Sequence, residues 1–455
     1  MKMSKLVYSL GVLMCLAFAK AYSQQPIENV LSKEDAVKLM LENNYGIKIA
    51  ENTTKIAENN SGILNSGYLP SLQGTAGASK DENDSRTDFN GALDQNGDPR
   101  PDIEINDAQT TQYNAGLNLN YTLFDGLGRL YNYKRLQEQF ALSQLEARTT
   151  IETTTVLLMS VYLEIARITE NVKVFEQNLE ISKKREERAR YQFEYGQANK
   201  LEVLNAQVDI NTDSINIMNS LQQLRNTKRD LNLLLNRELD ASFAVDTTVT
   251  LQSLLVIDSF LEKVPENNVR LLQSETSLQI SDYDIKTSRA LLLPRIGLTG
   301  SYGWNRTENP PSAFFPATTR TASNVAIGAN LTWDIFDGGR SINSLRNAKI
   351  AYENEALFKS QIEQEVARDV ANAKGNYMNA LAIYRMQEQN VLTNKSNFER
   401  TQEQFKLGQV SSVEFRQAQV NLLNAETVKN LAKYDAKLAE YQLLQLAGQI
   451  LNVAL

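Results

Sequence analysis

Residues 113–126 read YNAGLNLNYTLFDG, and residues 325–338 read VAIGANLTWDIFDG. In the first stretch Tyr113, Ala115, Leu117, Leu119, Tyr121 and Leu123 share one face, opposite Asn114, Gly116, Asn118, Asn120 and Thr122. In the second, Val325, Ile327, Ala329, Leu331, Trp333 and Ile335 oppose Ala326, Gly328, Asn330, Thr332 and Asp334. A period of two means strand. Each stretch ends in the same tripeptide, Phe124-Asp125-Gly126 and Phe336-Asp337-Gly338, 212 residues apart.

That offset of 212 recurs downstream. It relates Phe193 to Phe405, Gly196-Gln197 to Gly408-Gln409, Glu202 to Glu414, and Ala206-Gln207-Val208 to Ala418-Gln419-Val420. Upstream, Leu69-Pro70 matches Leu293-Pro294 at an offset of 224, so the first copy holds 12 more residues between its proline and its Phe-Asp-Gly. The chain is an internal duplication. Each copy reads as helix, strand, strand, long helix, helix. The first copy is expected at 24–236 with strands at about 70–80 and 112–124. The second is expected at 265–455 with strands at about 294–304 and 324–336. A linker, 237–264, joins the two.

Arg129 to Tyr195 contains no Gly and no Pro. Its apolar residues Leu158, Val161, Ile165, Ile168, Val172, Phe175 and Leu179 step by three and four, a heptad seam. Phe358, Ile362, Val366, Val370, Ala373, Tyr377, Leu381 and Tyr384 repeat the stripe in the second copy. Helices of this size approach ~100 Å at 1.5 Å per residue. Gly196 and Gly408 interrupt them, and a second amphipathic run follows each, so each copy should fold back as a helical hairpin. Leu201, Leu204, Val208, Ile215 and Met218 supply the apolar face of the first returning helix.

The four strand segments suit a membrane barrel, whose strands of about 9–11 residues are apolar outward and polar inward. The two tryptophans, Trp304 and Trp333, fall on the apolar faces, as interfacial aromatics do. The connections Lys80–Gln112 and Asn305–Ser323 are polar and rich in Asn, Asp, Pro and Thr, as external loops would be. Four strands cannot close a barrel, and open edges are not tolerated in lipid. Several chains must share one, and three chains of four strands give 12.

The N-terminus carries Lys2 and Lys5, an apolar run from Leu6 to Ala19, and small residues in Ala21-Tyr22-Ser23. This is the pattern of a secretory signal peptide over 1–23. Cys15 lies inside that apolar run, preceded by Met14, and is read as part of the removed peptide rather than as a lipidation site. Loss of Lys2, Lys5 and Lys20 takes the formal charge from −7 to −10. An exported acidic chain is a poor match for nucleic acid. It has no histidine, and beyond Cys15 no thiol, which removes the usual general base, the commonest metal ligand and disulfide chemistry. No metal, cofactor or catalytic residue is expected, and the chain is read as not an enzyme.

These motifs resemble those of the TolC-type outer-membrane efflux protein family. The likeness rests on Tyr68-Leu69-Pro70 and Leu293-Pro294 before the strands, and on the two Phe-Asp-Gly joints. It rests also on Phe193-Glu194-Tyr195-Gly196 and Phe405-Lys406-Leu407-Gly408 at the hairpin tips. The resemblance implies a mostly α fold with a β-barrel section. A homotrimer would make a 12-strand barrel in the outer membrane and a 12-helix tunnel in the periplasm. It implies a passive exit channel for efflux or type I secretion, with a periplasmic adaptor (membrane fusion) protein and an inner-membrane transporter of RND or ABC type as partners. The tips at Phe193, Gly196, Gln197, Phe405, Gly408 and Gln409 would meet the adaptor, and 237–264 would form a belt around mid-tunnel. Similar proteins narrow the periplasmic end with acidic side chains six and nine residues past the second tip glycine. Here those positions are Glu414 and Gln417, with Glu202 six past the first tip glycine, so only one of the two acidic positions is kept. A periplasmic coiled-coil adaptor or stalk is the competing reading of the long helices.

Overall fold

The computed structural model describes residues 30–312 and 315–453. The expected signal peptide at 1–23, with Cys15, lies outside the described residues. In chain order the elements are β1 (Val30–Leu31), α1 (Lys33–Asn43), α2 (Tyr45–Ser61), β2 (Ser71–Thr87), β3 (Ile103–Phe124), α3 (Gly128–Glu194), α4 (Lys200–Leu234), β4 (Ala244–Val245), α5 (Leu254–Leu261), α6 (Val264–Asn267), α7 (Val269–Ala290), β5 (Arg295–Asn309), β6 (Thr318–Thr332), α8 (Arg340–Lys406) and α9 (Ser412–Leu446). Helices α3 and α8 are both 67 residues long, and α4 and α9 are both 35. The duplication therefore extends to element lengths. Among the described residues no helix is long and apolar enough to cross a membrane.

Residues 53–144 and 273–361 form one compact unit, built on an antiparallel sheet of order β2-β3-β5-β6. Cross-strand registers sort the side chains by face. Leu72, Leu119, Gly300 and Ile327 form one row, and Gly74, Leu117, Tyr302 and Val325 the next on that face. On the opposite face Gln73, Asn118, Ser301 and Ala326 line up, followed by Thr75, Gly116, Gly303 and Asn324. The apolar face carries nothing from this unit over much of its area: Leu72 is 68% exposed and Ile327 is 85% exposed. A half-buried soluble sheet would hide that face instead. Edge strands β2 and β6 each pair on one side only among the described residues.

The strands outrun their expected limits. The ladder continues from Lys80↔Thr111 to Thr87↔Ile103, with one irregularity between Asn83 and Ser85, and from Asn305↔Ala322 to Asn309↔Thr318. The expected loops thus shrink to 88–102 and 310–317. Beyond the apolar band both faces are wet, so the backbone stays paired while the side chains lose their alternation. At its other end β6 stops at Thr332, short of the expected 336. Trp333 therefore lies just past the strand, where its indole Nε1–H donates to the Leu292 carbonyl (3.3 Å). Trp304 lies within β5, paired with Ala115 and Ser323.

The second unit holds the described residues up to 52, 145–272 and those from 362 on. Its core joins Leu158, Tyr162 and Ile165 of α3, Leu231 of α4, Tyr377 of α8 and Tyr441 and Leu444 of α9, with Met40, Phe243 and Ile257 between them. Each such side chain contributes about 1.5–3 kcal/mol on burial. The α4 stripe of Leu201, Leu204, Val208, Ile215 and Met218 is not part of this packing: all five are exposed. The face of α4 turned to the chain carries Val203, Ala206, Asp213, Leu231 and Asn232 instead. Periodicity identified a face correctly but not what covers it.

Residues 237–264 include β4, which pairs in parallel with β1, and α5. The stretch between them is an extended strap with no ladder of its own. Helix side chains pin its backbone instead. Lys433 Nζ (3.2 Å) and Tyr434 Oη–H (3.1 Å) donate to the Thr247 carbonyl, and Lys33 Nζ to that of Thr248 (3.1 Å). Lys437 Nζ reaches the Thr250 carbonyl (2.9 Å), and Tyr377 Oη–H the Gln252 carbonyl (2.9 Å). The Gln252 N–H donates to Glu440 Oε2 (2.9 Å), whose other oxygen holds Lys437 Nζ at 2.7 Å. Buried backbone groups require such partners. Burial pulls the Lys33 ammonium below its ordinary pKa and pushes the Tyr162 phenol up to about 12. The Tyr162 hydroxyl closes the start of the strap, donating to the Leu31 carbonyl (2.7 Å) and accepting from the Asp246 N–H (2.9 Å).

Candidate functional site

Both hairpin tips are built alike. The left-handed residue that follows α3 is Gly196 (φ 72°), and the one that follows α8 is Gly408 (φ 75°). At the first, the N–H of Gly196 reaches the Phe193 carbonyl (3.0 Å) and that of Gln197 reaches Gln192 (2.7 Å). At the second, Gly408 reaches Phe405 (3.1 Å) and Gln409 reaches Gln404 (2.9 Å). This paired closure is the Schellman motif, which needs a left-handed residue after the helix. Three residues beyond each glycine sits the cap of the next helix, Asn199 in one hairpin and Ser411 in the other. Gly408→Ala should cost about 1–2 kcal/mol, the price of a Cβ in the left-handed region. Because nothing lies within 4 Å of that Cβ, the loss should appear as earlier fraying of the tip in amide exchange rather than as a packing defect.

The equivalent phenylalanines differ in surroundings. Phe193 is exposed, with Lys200 Nζ 5.3 Å above its ring. Phe405 stacks on Phe415 at 4.7 Å, and the Arg188 guanidinium covers its other side at 4.8 Å. Arg188 also donates to the Lys406 carbonyl (3.0 Å).

Glu202 and Glu414 occupy the first turns of α4 and α9. The Glu414 carboxylate is engaged locally. Oε2 accepts from the Ser411 N–H (2.7 Å) and hydroxyl (2.8 Å), while Ser411 Oγ accepts from the Glu414 N–H (3.3 Å), a complete capping box. Those Ser411 hydrogen bonds hold the carboxyl below its ordinary pKa. Gln417 is exposed, and its Nε2 donates to Asn421 Oδ1 (2.8 Å). Glu202 is half-buried, and its N–H donates to Asn199 Oδ1 (3.2 Å).

Behind these residues lies a buried polar cluster that sequence reasoning missed. Arg416 of α9 grips Asp213 of α4 through both terminal nitrogens (2.9 and 3.0 Å) and approaches Asp209 at 3.4 Å. Arg185 of α3 pairs with Asp209. Ser182 Oγ–H donates to Asp213 (2.6 Å) and accepts from Arg416 (3.1 Å) and from Gln419 Nε2 (3.0 Å). Two guanidiniums and two carboxylates thus tie three helices with balanced charge. Burial lowers the Arg185 pKa despite Asp209. A signal was present in the sequence: the repeat-mates of Arg185, Asp209, Asp213 and Arg416 are Asn397, Asn421, Ala425 and Leu204. A search for matches between copies passes over positions where only one copy is charged.

At the strand-to-helix joints the aspartates cap. Asp125 Oδ2 accepts from the Arg129 N–H (3.0 Å) and pairs with its side chain (3.2 Å). Asp337 Oδ2 accepts from the Ser341 N–H (2.9 Å) and hydroxyl (2.6 Å), and Oδ1 from the Gly339 N–H (3.1 Å). Phe124 and Phe336 are both exposed. Gly126 and Gly338 are both left-handed (φ 70° and 72°), a backbone conformation that glycine adopts without strain.

A family model described as outer membrane efflux protein matches residues 36–237 and 260–449, so it takes in both repeats. Over 425 residues the chain is 20% identical to "Outer membrane efflux protein BepC" of Brucella suis, covering 90% of this chain and 83% of that protein. Over 291 residues it is 23% identical to "Outer membrane protein TolC" of Vibrio cholerae, covering 64% of this chain and 66% of the relative, just under two thirds of its length. The fold is similar to that of the Campylobacter jejuni CmeC outer membrane channel, with a TM-score of 0.72 at 18% identity over 92% of this chain and 86% of that one.

Proposed function

The chain belongs to the outer membrane efflux protein family, and from that premise we propose that it is the outer-membrane exit channel of a tripartite efflux or type I secretion machine. Three copies close one 12-strand barrel and continue it as a periplasmic tunnel of helices. The observation that carries this reading is the four-stranded sheet, with an exposed apolar face, a polar reverse face and two open edges. A periplasmic adaptor or stalk would have no use for such a sheet. The channel is passive, and an inner-membrane transporter of RND or ABC type drives cargo through it. The tips around Phe193, Gly196, Gln197, Phe405, Gly408 and Gln409 meet the periplasmic adaptor. Outer-membrane fractionation and light scattering of the purified protein test this, and a soluble monomer would overturn it.

Three copies of Glu414 narrow the tunnel mouth, with Glu202 and Gln417 beside them, and concentrate negative potential there. The exposure of Glu414 in the first turn of α9 supports this placement. Glutamine is also accepted in a capping box. Glu414→Gln therefore isolates charge from helix capping, whereas Glu414→Ala changes both. In planar bilayers Glu414→Gln should shift the reversal potential toward lower cation selectivity. An unchanged reversal potential would remove Glu414 from the bore.

A further inference from the structure

The polar face of the sheet is uncharged over most of its length. Alternate residues along 71–79 of β2, 114–122 of β3, 297–305 of β5 and 324–330 of β6 are Asn, Gln, Ser, Thr, Ala or Gly. Arg295 breaks that pattern at the joint end, where it opens β5 opposite Thr332 on the same face. Its repeat-mate at −224 is Ser71, so only one repeat supplies the charge. Arg295 is exposed, and its guanidinium makes no ion pair or hydrogen bond with the described residues.

Arg295 also lines a cavity of about 370 Å³, enclosed by β5, β6, the start of α3 and the end of α7. Two further donors line it. Thr287 of α7 has its hydroxyl buried without a partner. Asn132 of α3 has its Oδ1 occupied by Arg135 Nη2 (2.8 Å), which leaves its amide N–H groups to donate. The acids are fewer. Asp125 is already committed to the N–H and side chain of Arg129. Asp334, two residues past Thr332, is the one carboxylate in the lining without a partner. A buried hydroxyl left unpaired is costly, and a guanidinium offers a fork of donors, so the cavity suits a ligand that accepts several hydrogen bonds at once.

We infer that this cavity is an anion site and that Arg295 is a charge-selecting residue of the channel. Its ligand class is a small oxyanion or carboxylate, held by the Arg295 guanidinium with the Thr287 hydroxyl and the Asn132 amide beside it. This rests on the channel reading, which turns the polar face toward the bore and brings three copies of Arg295 into one ring. Rings of Arg or Lys favour anions in pores, as rings of Asp or Glu favour cations. The uncharged wall above Arg295 leaves its field unopposed on that side, and Asp334 tempers it from below. Arg295 thus acts against Glu414, and the net selectivity of the channel reflects both.

Planar-bilayer recordings of the purified protein test this, and because Arg295 is exposed its replacement leaves folding intact. In a potassium chloride gradient, Arg295→Gln should shift the reversal potential toward higher cation selectivity, opposite in sign to Glu414→Gln. Arg295→Lys should stay near the parent chain, and Asp334→Asn should move toward anions. The Arg295→Gln shift should shrink as salt rises, since the screening length falls from about 10 Å at 0.1 M to about 3 Å at 1 M. Inorganic phosphate added equally to both sides should carry the parent chain toward the Arg295→Gln value and leave Arg295→Gln itself unmoved. Thr287→Val should need more phosphate for the same shift. Conducting channels with one reversal potential for the parent chain and Arg295→Gln overturn the inference and leave the channel reading standing. A phosphate effect that persists in Arg295→Gln puts the anion elsewhere and overturns the cavity site. No conductance from the parent chain overturns both readings.

Discussion

Asp213→Ala should lower stability by about 3–5 kcal/mol, the usual result of removing one partner from a buried charge network. Asp213 is 2% exposed and accepts three hydrogen bonds, two from Arg416 and one from Ser182. Without it, the Arg416 and Arg185 guanidiniums share Asp209 alone, in a site that water reaches poorly. The immediate loss is the tie between α4 and α9, with Ser182 of α3 also left without its acceptor. A lower unfolding midpoint in denaturant, and faster tryptic cleavage after Arg185 and Arg416, are the expected measurements. Replacing the charged set with apolar side chains of similar volume should recover much of the loss, since such networks are often neutral against a packed alternative. A midpoint unchanged in Asp213→Ala would mean that the cluster contributes nothing net.

The second large effect is expected at Glu440. Its carboxylate, fully buried, balances Lys437, whose side chain is 3% exposed, and accepts the Gln252 N–H. Glu440→Ala leaves a buried ammonium without its counter-charge and a strap N–H without an acceptor. The cost is again about 3–5 kcal/mol. Glu440→Gln keeps an acceptor for Gln252 and should be milder. The change should be local before it is global, with amide exchange at 247–252 accelerating under conditions where the helices remain protected. Lys437→Met together with Glu440→Leu should restore most of the midpoint. If the double variant were as unstable as Glu440→Ala, the strap contacts rather than the uncompensated charge would be responsible.

What the sequence disclosed follows from what periodicity measures. The duplicated motifs located both long helices and both tips because Gly196 and Gly408 are left-handed stops, a conformation that glycine takes at no Cβ cost. The apolar band of the sheet was legible because its two faces meet different surroundings. Strand ends at Thr87 and Asn309 were not, because both faces there are polar while the backbone ladder continues. The strap at 247–252 left no pattern, since its partners are side chains of distant helices. Leu201, Leu204 and Val208 gave a clear stripe, but a stripe does not say whether its cover comes from the same chain. The Arg185–Asp209–Asp213–Arg416 cluster escaped because its residues differ between the copies.

The open edges of β2 and β6 also bear on the life history of the molecule. A copy that has left its site of synthesis and has not yet met two others presents unpaired backbone beside bare aliphatic rows, a template for indiscriminate stacking. The hazard grows with the waiting time, and the wait shortens as copies accumulate, so dilution and crowding both carry risk. Proteins that escort unfinished barrels would act on this interval, which, on the proposed channel reading, ends when the edges of neighbouring copies pair.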